Sequence, residues 1–271
     1  MKTAVRGGAS ALLSILLPLL LAACNGPSRE EQQATADAAA TAAASPFPPP
    51  EAGRISGSVA YTGKDPDVAV PVNADPTCAS LRPDPLMTET IAGDGQGHLG
   101  NVFVYVESGL GGRTFPPPAA KAELDQVGCA YRPHVLGLRV DQTLVIKNSD
   151  ATVHNVLALP GPNPQFNEGL PYPGMQMEKV FHSPQVMLQL KCNVHLWMTA
   201  WIGVLPHPYF AVTAPDGTFE IENLPPGTYT LAAWHETLGT QRRMVTIGPK
   251  QSVAVGFDYG AGAVPAPVVK Y

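Results

Sequence analysis

The stretch Cys192-Asn193-Val194-His195-Leu196-Trp197-Met198 places a thiol, an imidazole and a thioether within seven residues. Soft sulfur holds Cu(I), and imidazole serves both Cu(I) and Cu(II), so this donor set suits a metal that cycles between the two states. A second imidazole stands upstream, in Asn148-Ser149-Asp150-Ala151-Thr152-Val153-His154-Asn155-Val156. Taken singly, each residue has a plainer reading. Cys192 would be a small buried hydrophobe, Met198 core filler, and His154 the cap of a turn.

Strands position these donors. Val186, Leu188, Leu190 and Cys192 share one face by the two-residue period, with Gln189 and Lys191 on the other. The two residues between Cys192 and His195 let the loop fold back so that both meet one ion, and Met198 can approach axially. Val153 to Leu159 reads as a strand, with His154 at its start just after a polar turn. From Arg54 onward the pattern is β throughout. The segment 53–61 alternates, and 101–106 sets Val102, Val104 and Val106 against Phe103 and Tyr105. Glycine (26) and proline (29) punctuate short strands, and no long segment has helical periodicity, so the expected fold class is an all-β sandwich.

A second unit begins near Pro206. Asp216-Gly217 reads as a hairpin turn and Pro225-Pro226-Gly227 as a type II turn. The run from Asp216 to Ile221 and from Leu224 to Leu231 resembles the carboxypeptidase regulatory-like, or transthyretin-like, β-domain, usually a structural or binding module. Gly53 to Tyr61 resembles the first strand of such a domain, so the two units are expected to interleave.

The metal-donor segments resemble the cupredoxins, within them the amicyanin and plastocyanin group. That family's first ligand lies in a His-Asn-Val sequence, here His154-Asn155-Val156, and the others in a Cys-x-x-His loop followed by Met. The joint occurrence of these residues in family order favours a metal site over the plainer readings. The resemblance implies a Greek-key sandwich holding one type 1 copper ion. His154, Cys192 and His195 would form its plane, Met198 the weak axial bond, and Asn155 would brace the ligand loop. It also implies that His195 reaches the surface as the electron exit, with Leu196, Trp197 and Pro206 forming an apolar patch. Asn193-Val194 replaces the commoner Ser/Thr-Pro pair, and Leu190 stands where an aromatic residue is usual, which bears on potential and partner more than on the metal.

The expected organisation is a signal peptide at 1–23, a lipidated Cys24 and Ala/Pro-rich linker at 24–53, and an N-terminal β region packed on the core at 54–97. The copper domain spans 98–205, the regulatory-like β-domain 206–260 and a tail 261–271. The segment Leu21-Ala22-Ala23-Cys24 resembles the lipobox of bacterial lipoproteins, and the apolar run before it is too short to span a bilayer, which needs about 20 residues. Cys78 and Cys129 then make a natural disulfide in an oxidising compartment, stabilising by about 4 kcal/mol in the chain-entropy model. Cys192 is left unpaired.

Net charge is −5, and loss of 1–23 removes Lys2 and Arg6 but no acid. A mildly acidic chain is a poor match for nucleic acid, which needs clustered Lys and Arg. His207, His235, His98, His134 and His182 lack a second ligand at metal spacing and read as surface or internally bonded histidines, with His134 near enough to the copper strands to support them. Trp197 and Trp201 suit either docking or the core. Glu107, Glu123, Asp125 and Asp141 form no paired-carboxylate site, and no nucleophile elbow, phosphate loop, zincin motif or further His-x-His cluster occurs. The expected function is therefore one-electron transfer without enzymatic activity, at a membrane surface reached through the lipid anchor. The partner would be a redox protein such as a c-type cytochrome or a dehydrogenase. Two other readings stay open: a copper-delivery lipoprotein, and a carbohydrate- or protein-binding module with the copper fold as scaffold.

Overall fold

A computed structural model describes residues 47–63, 68–82 and 84–260. The signal segment 1–23, Cys24, most of the linker and the tail 261–271 lie outside the described residues. No helix among the described residues is long and apolar enough to cross a membrane.

The fold is all-β. In chain order the first strands are β1 (Gly53–Tyr61), β2 (Ala92–Gly93), β3 (Leu99–Gly100), β4 (Phe103–Ser108), β5 (Ala122–Gln126) and β6 (Tyr131–Arg132). Next come β7 (Val135–Arg139), β8 (Thr143–Asn148), β9 (His154–Ala158), β10 (Phe166–Leu170), β11 (Gln176–Val180), β12 (Gln185–Lys191) and β13 (Thr199–Leu205). The last are β14 (Phe210–Val212), β15 (Thr218–Leu224), β16 (Gly227–His235), β17 (Gly239–Ile247) and β18 (Ser252–Tyr259).

Sheets β10-β9-β12-β13-β7 and β11-β8-β5-β6 face each other across one core that includes Leu124, Leu144, Ile146, Val156, Leu190 and Ile202. Sheets β15-β1-β18 and β14-β4-β16-β17 enclose a second core, with Ile55, Val59, Val104, Leu231 and Phe257. A third, smaller cluster joins the sandwiches back to back. Phe103, Tyr105 and Ala232 from the second pack there against Val135 and Leu205 from the first.

Two-residue periodicity explains how one strand serves two cores. In β4, Val104 and Val106 enter the second core while Phe103 and Tyr105 point to the joint. In β13, Ala200, Ile202 and Val204 enter the first core and Trp201 the joint. Gly203 leaves room for Phe103: a Cβ there would lie 2.4 Å from the ring, and one at Gly137 would lie 2.2 Å from Phe210.

The strand partners depart from the expected boundaries. β4 was expected in a copper unit at 98–205 but pairs with β14 and β16. β1 lies between β15 and β18 of the second sandwich, in agreement with its resemblance to the first strand of that domain, although the 54–97 boundary had grouped it with the region packed on the copper core. Alternation identifies a strand and its buried faces but carries no information about which strands flank it. The rest of the 54–97 region does reach the first sandwich: Val70, Val72, Cys78 and Leu86 join its core. This segment carries a 3₁₀ turn, Val72–Ala74, and a short helix, Pro76–Ser80, and forms a cap over one end.

Gly203→Ala should destabilise the protein by about 1–3 kcal/mol through overpacking against Phe103. Phe103→Leu in the same chain should recover part of that loss, a non-additivity that denaturant melts of the single and double variants will detect. Strict additivity would contradict this account of the joint.

Candidate metal centre

β9 and β12 run antiparallel, with Lys191 opposite Leu157, so the start of β9 lies beside the loop that follows β12. That loop is tightly wound. Cys192 N–H donates to the Met198 carbonyl at 3.1 Å, Met198 N–H to the His195 carbonyl at 2.9 Å, and His195 N–H to Cys192 Sγ at 3.4 Å. His154, Cys192, His195 and Met198 are all buried. Donor atoms of His154, Cys192 and His195 lie within 4.8 Å of one another. Met198 closes the same loop.

The imidazoles are oriented by two carboxylates that sequence reasoning missed. His154 Nε2 lies 3.0 Å from Asp150 Oδ2, and His195 Nε2 lies 3.0 Å from Asp75 Oδ2. Asp150 also accepts from the backbone N–H groups of Gly128 and Cys129, both at 2.7 Å. Asp75 caps the short helix, accepting from Thr77 N–H at 2.7 Å and Cys78 N–H at 3.2 Å. With each Nε2 turned to a carboxylate, the two Nδ1 atoms face each other at 2.9 Å. Two neutral imidazoles donating through Nε2 would bring two Nδ1 lone pairs together there, so the arrangement calls for a cation between them, either a shared proton or a metal ion.

The titration behaviour follows. Burial pulls His154 down, but the Asp150 carboxylate and the Cys192 thiolate outweigh it and lift the imidazole to about 9. Burial pushes the Cys192 thiol up, yet the His154 side chain and the backbone N–H groups of Asn155, His195 and Val194 bring it below its ordinary value. The hydrogen bond from His195 is the main cause holding Asp75 down at about 2. Asn155 ties the donors together: its Oδ1 accepts from Asn193 N–H at 2.5 Å, and its carbonyl accepts from Tyr131 Oη at 3.0 Å.

Cys78 and Cys129 form the expected disulfide, which fastens the cap to the turn between β5 and β6. This cap overturns the expectation of an exposed His195. Its imidazole is 2% exposed, beneath Asp75 and Cys78 Sγ, the latter 3.4 Å from Nε2. The exposed residues of the loop are Asn193, Val194 and Leu196. Pro206 follows the far end of β13, away from the donors, so it joins no patch with Leu196. Trp197 packs on His195 with ring centroids 5.1 Å apart and donates to the Cys129 carbonyl. Trp201 lies instead in the joint between sandwiches, against Trp234.

The remaining histidines have partners elsewhere. His134, expected near the copper strands as a supporting group, pairs with Glu236. His98 pairs with Asp94 and His182 with Asp141. His207 Nδ1 accepts from Tyr209 N–H, and His235 Nδ1 from the N–H groups of Thr237 and Leu238.

The sequence matches no protein-family model and none of the curated proteins. Structural neighbours are cupredoxins, at low similarity over about a third of the chain. A Cu-containing nitrite reductase from Thermus scotoductus SA-01 is 21% identical, with TM-score 0.29, covering 35% of this chain and 24% of that one. A purple cupredoxin from Nitrosopumilus maritimus is 23% identical, with TM-score 0.27, over 31% of this chain and 99% of that one. A reduced amicyanin variant is 17% identical, with TM-score 0.29, over 37% of this chain and 97% of that one.

Two predictions come from these bonds. Asn155→Ala frees Asn193 N–H and should weaken metal binding about 10–100-fold without loss of fold, as read by competition with a chromophoric chelator. The second concerns pH. Burial holds His207 and His235 at about 4, so each stays neutral in the fold. Their stability is complete above the unfolded value of about 6.5 and is lost as pH falls toward 4, because only the unfolded chain takes up the proton. Each contributes a slope of about 1.4 kcal/mol per pH unit. His235→Asn should reduce the slope of unfolding free energy between pH 6.5 and 4 by about that amount. An unchanged slope in urea melts would contradict the assignment.

Proposed function

We propose that this chain is an exported, lipid-anchored type 1 copper protein that transfers single electrons. One ion would be held by His154 Nδ1, Cys192 Sγ and His195 Nδ1, with Met198 as a weaker fourth donor. The observation that carries this reading is the facing pair of buried Nδ1 atoms beside an unpaired buried thiol. Two imidazoles with one thiolate suit copper among the common metals. When bound, copper supplies a one-electron couple. The chain's own part is to hold the donors rigid, keep each Nε2 proton on its carboxylate and exclude water.

Burial of every donor leaves little access for a substrate, which favours a carrier over an enzyme. The disulfide-fastened cap over His195 favours slow metal exchange, and so electron transfer over copper delivery. With His195 covered, the electron would leave through the exposed Val194–Leu196 side of the loop or through Trp197, toward a redox protein such as a c-type cytochrome or dehydrogenase. The Cys78–Cys129 bond agrees with an oxidising compartment outside the cytoplasm.

Adding Cu(II) to the full chain carrying Cys24→Ser should produce an intense blue or green thiolate-to-copper band at one equivalent. Cys192→Ser should abolish the band while the fold, followed by near-UV circular dichroism, persists. A colourless protein at one equivalent would rule the reading out.

A further inference from the structure

The disulfide lies within the same buried cluster as the proposed copper donors, and its sulfurs are close to groups that bind metals. Cys78, Cys129 and His195 offer donor atoms all within 4.8 Å of one another, and a second overlapping group comprises Cys129, Asp150 and His154. Cys78 Sγ approaches the Nε2 side of His195, opposite the Nδ1 that faces His154. Asp75 Oδ2 lies on that same nitrogen.

We propose that the reduced form of the Cys78–Cys129 pair is a second metal site. Its donors are the two thiolates and His195 Nε2, with Asp75 as the fourth. Two thiolates, an imidazole and a carboxylate suit a tetrahedral d¹⁰ ion, Zn(II) or Cu(I). Both cysteines are 0% exposed.

The backbone keeps the two sulfurs together once the bond between them is open. Cys78 lies in a helix capped by Asp75, and Cys129 N–H is held by Asp150. Their Cα atoms are 5.6 Å apart. The reduced state is the one the chain holds before its thiols are oxidised. It is regenerated by a phosphine: the S–S bond breaks, two S–H bonds form with hydrogen from water, and the phosphine leaves as its oxide. On metal binding the thiol protons and the His195 Nε2 proton are released to solvent. Closing the disulfide removes both thiolates and with them the site, so occupancy of this second site is set by thiol oxidation.

The site shares His195 with the copper reading but does not depend on it, and removing Cys192 separates the two. The full chain carrying Cys24→Ser and Cys192→Ser is titrated with Co(II), a spectroscopic stand-in for Zn(II), before and after phosphine reduction. The reduced form should bind one equivalent with a thiolate-to-cobalt band, and the disulfide form none. Adding Cys78→Ser should remove the band, and adding His195→Gln should weaken binding at least tenfold. Three outcomes overturn the proposal: equal binding by the reduced and disulfide forms, binding insensitive to His195→Gln, or loss of the native near-UV dichroism on reduction. Failure of the copper reading would appear separately, as no blue band in the chain that retains Cys192.

Discussion

The geometry of the centre depends on where two imidazoles place their Nε2 atoms. His154 is turned by Asp150 and His195 by Asp75, and only this pair of contacts brings both Nδ1 atoms to one point beside Cys192. Each carboxylate is itself held by two backbone N–H groups, so neither can swing away without giving up both bonds, one of them, from Cys129 N–H to Asp150, buried. Four separate stretches of chain must therefore meet: the cap, the β5–β6 turn, the turn leading into β9 with the start of that strand, and the loop after β12. The disulfide fastens the first two of these to each other.

Charge gives this scaffold a preference. Two carboxylates and a thiolate surround the centre, and a buried anionic shell favours the more positive state of any ion within it. The proposed copper would therefore be held more strongly as Cu(II) than in a neutral pocket with the same three donors. The second sandwich acts at a distance. Its outward aromatic residues pack on the face of β7 and β13 opposite the first core, supporting the strand that emerges from the ligand loop.

The strands and donors were legible because each leaves a local mark. Alternation gave the buried faces at Leu188, Leu190 and Cys192 and at Val102–Val106, and the Cys-x-x-His spacing gave the loop. Val186, expected on the inward face, is exposed because the pairing of β12 with β13 shifts register between Gln185 and Leu188. Asp75 and Asp150 left weaker marks. Asp75 begins an Asp-Pro-Thr-Cys capping sequence, and Asp150 lies four residues before His154. A capping aspartate ordinarily serves only its helix, so nothing local said that Asp75 also holds a histidine 120 residues away. The same limit explains the exposed His195 that was expected and the placement of β4, whereas β1 was legible through its resemblance to the first strand of the second domain. The cap over the histidine and the neighbours of β4 are long-range pairings, which periodicity does not encode.

The central claim is that His154, Cys192 and His195 converge on one copper ion through the nitrogens facing away from the carboxylates. Anomalous diffraction at the copper edge from crystals of the copper-loaded chain tests it directly. The account predicts a single strong peak bonded to His154 Nδ1, Cys192 Sγ and His195 Nδ1, with both Nε2 atoms still on Asp150 and Asp75. A peak on an Nε2 atom, or copper bound only at surface histidines such as His98 and His182, would contradict it.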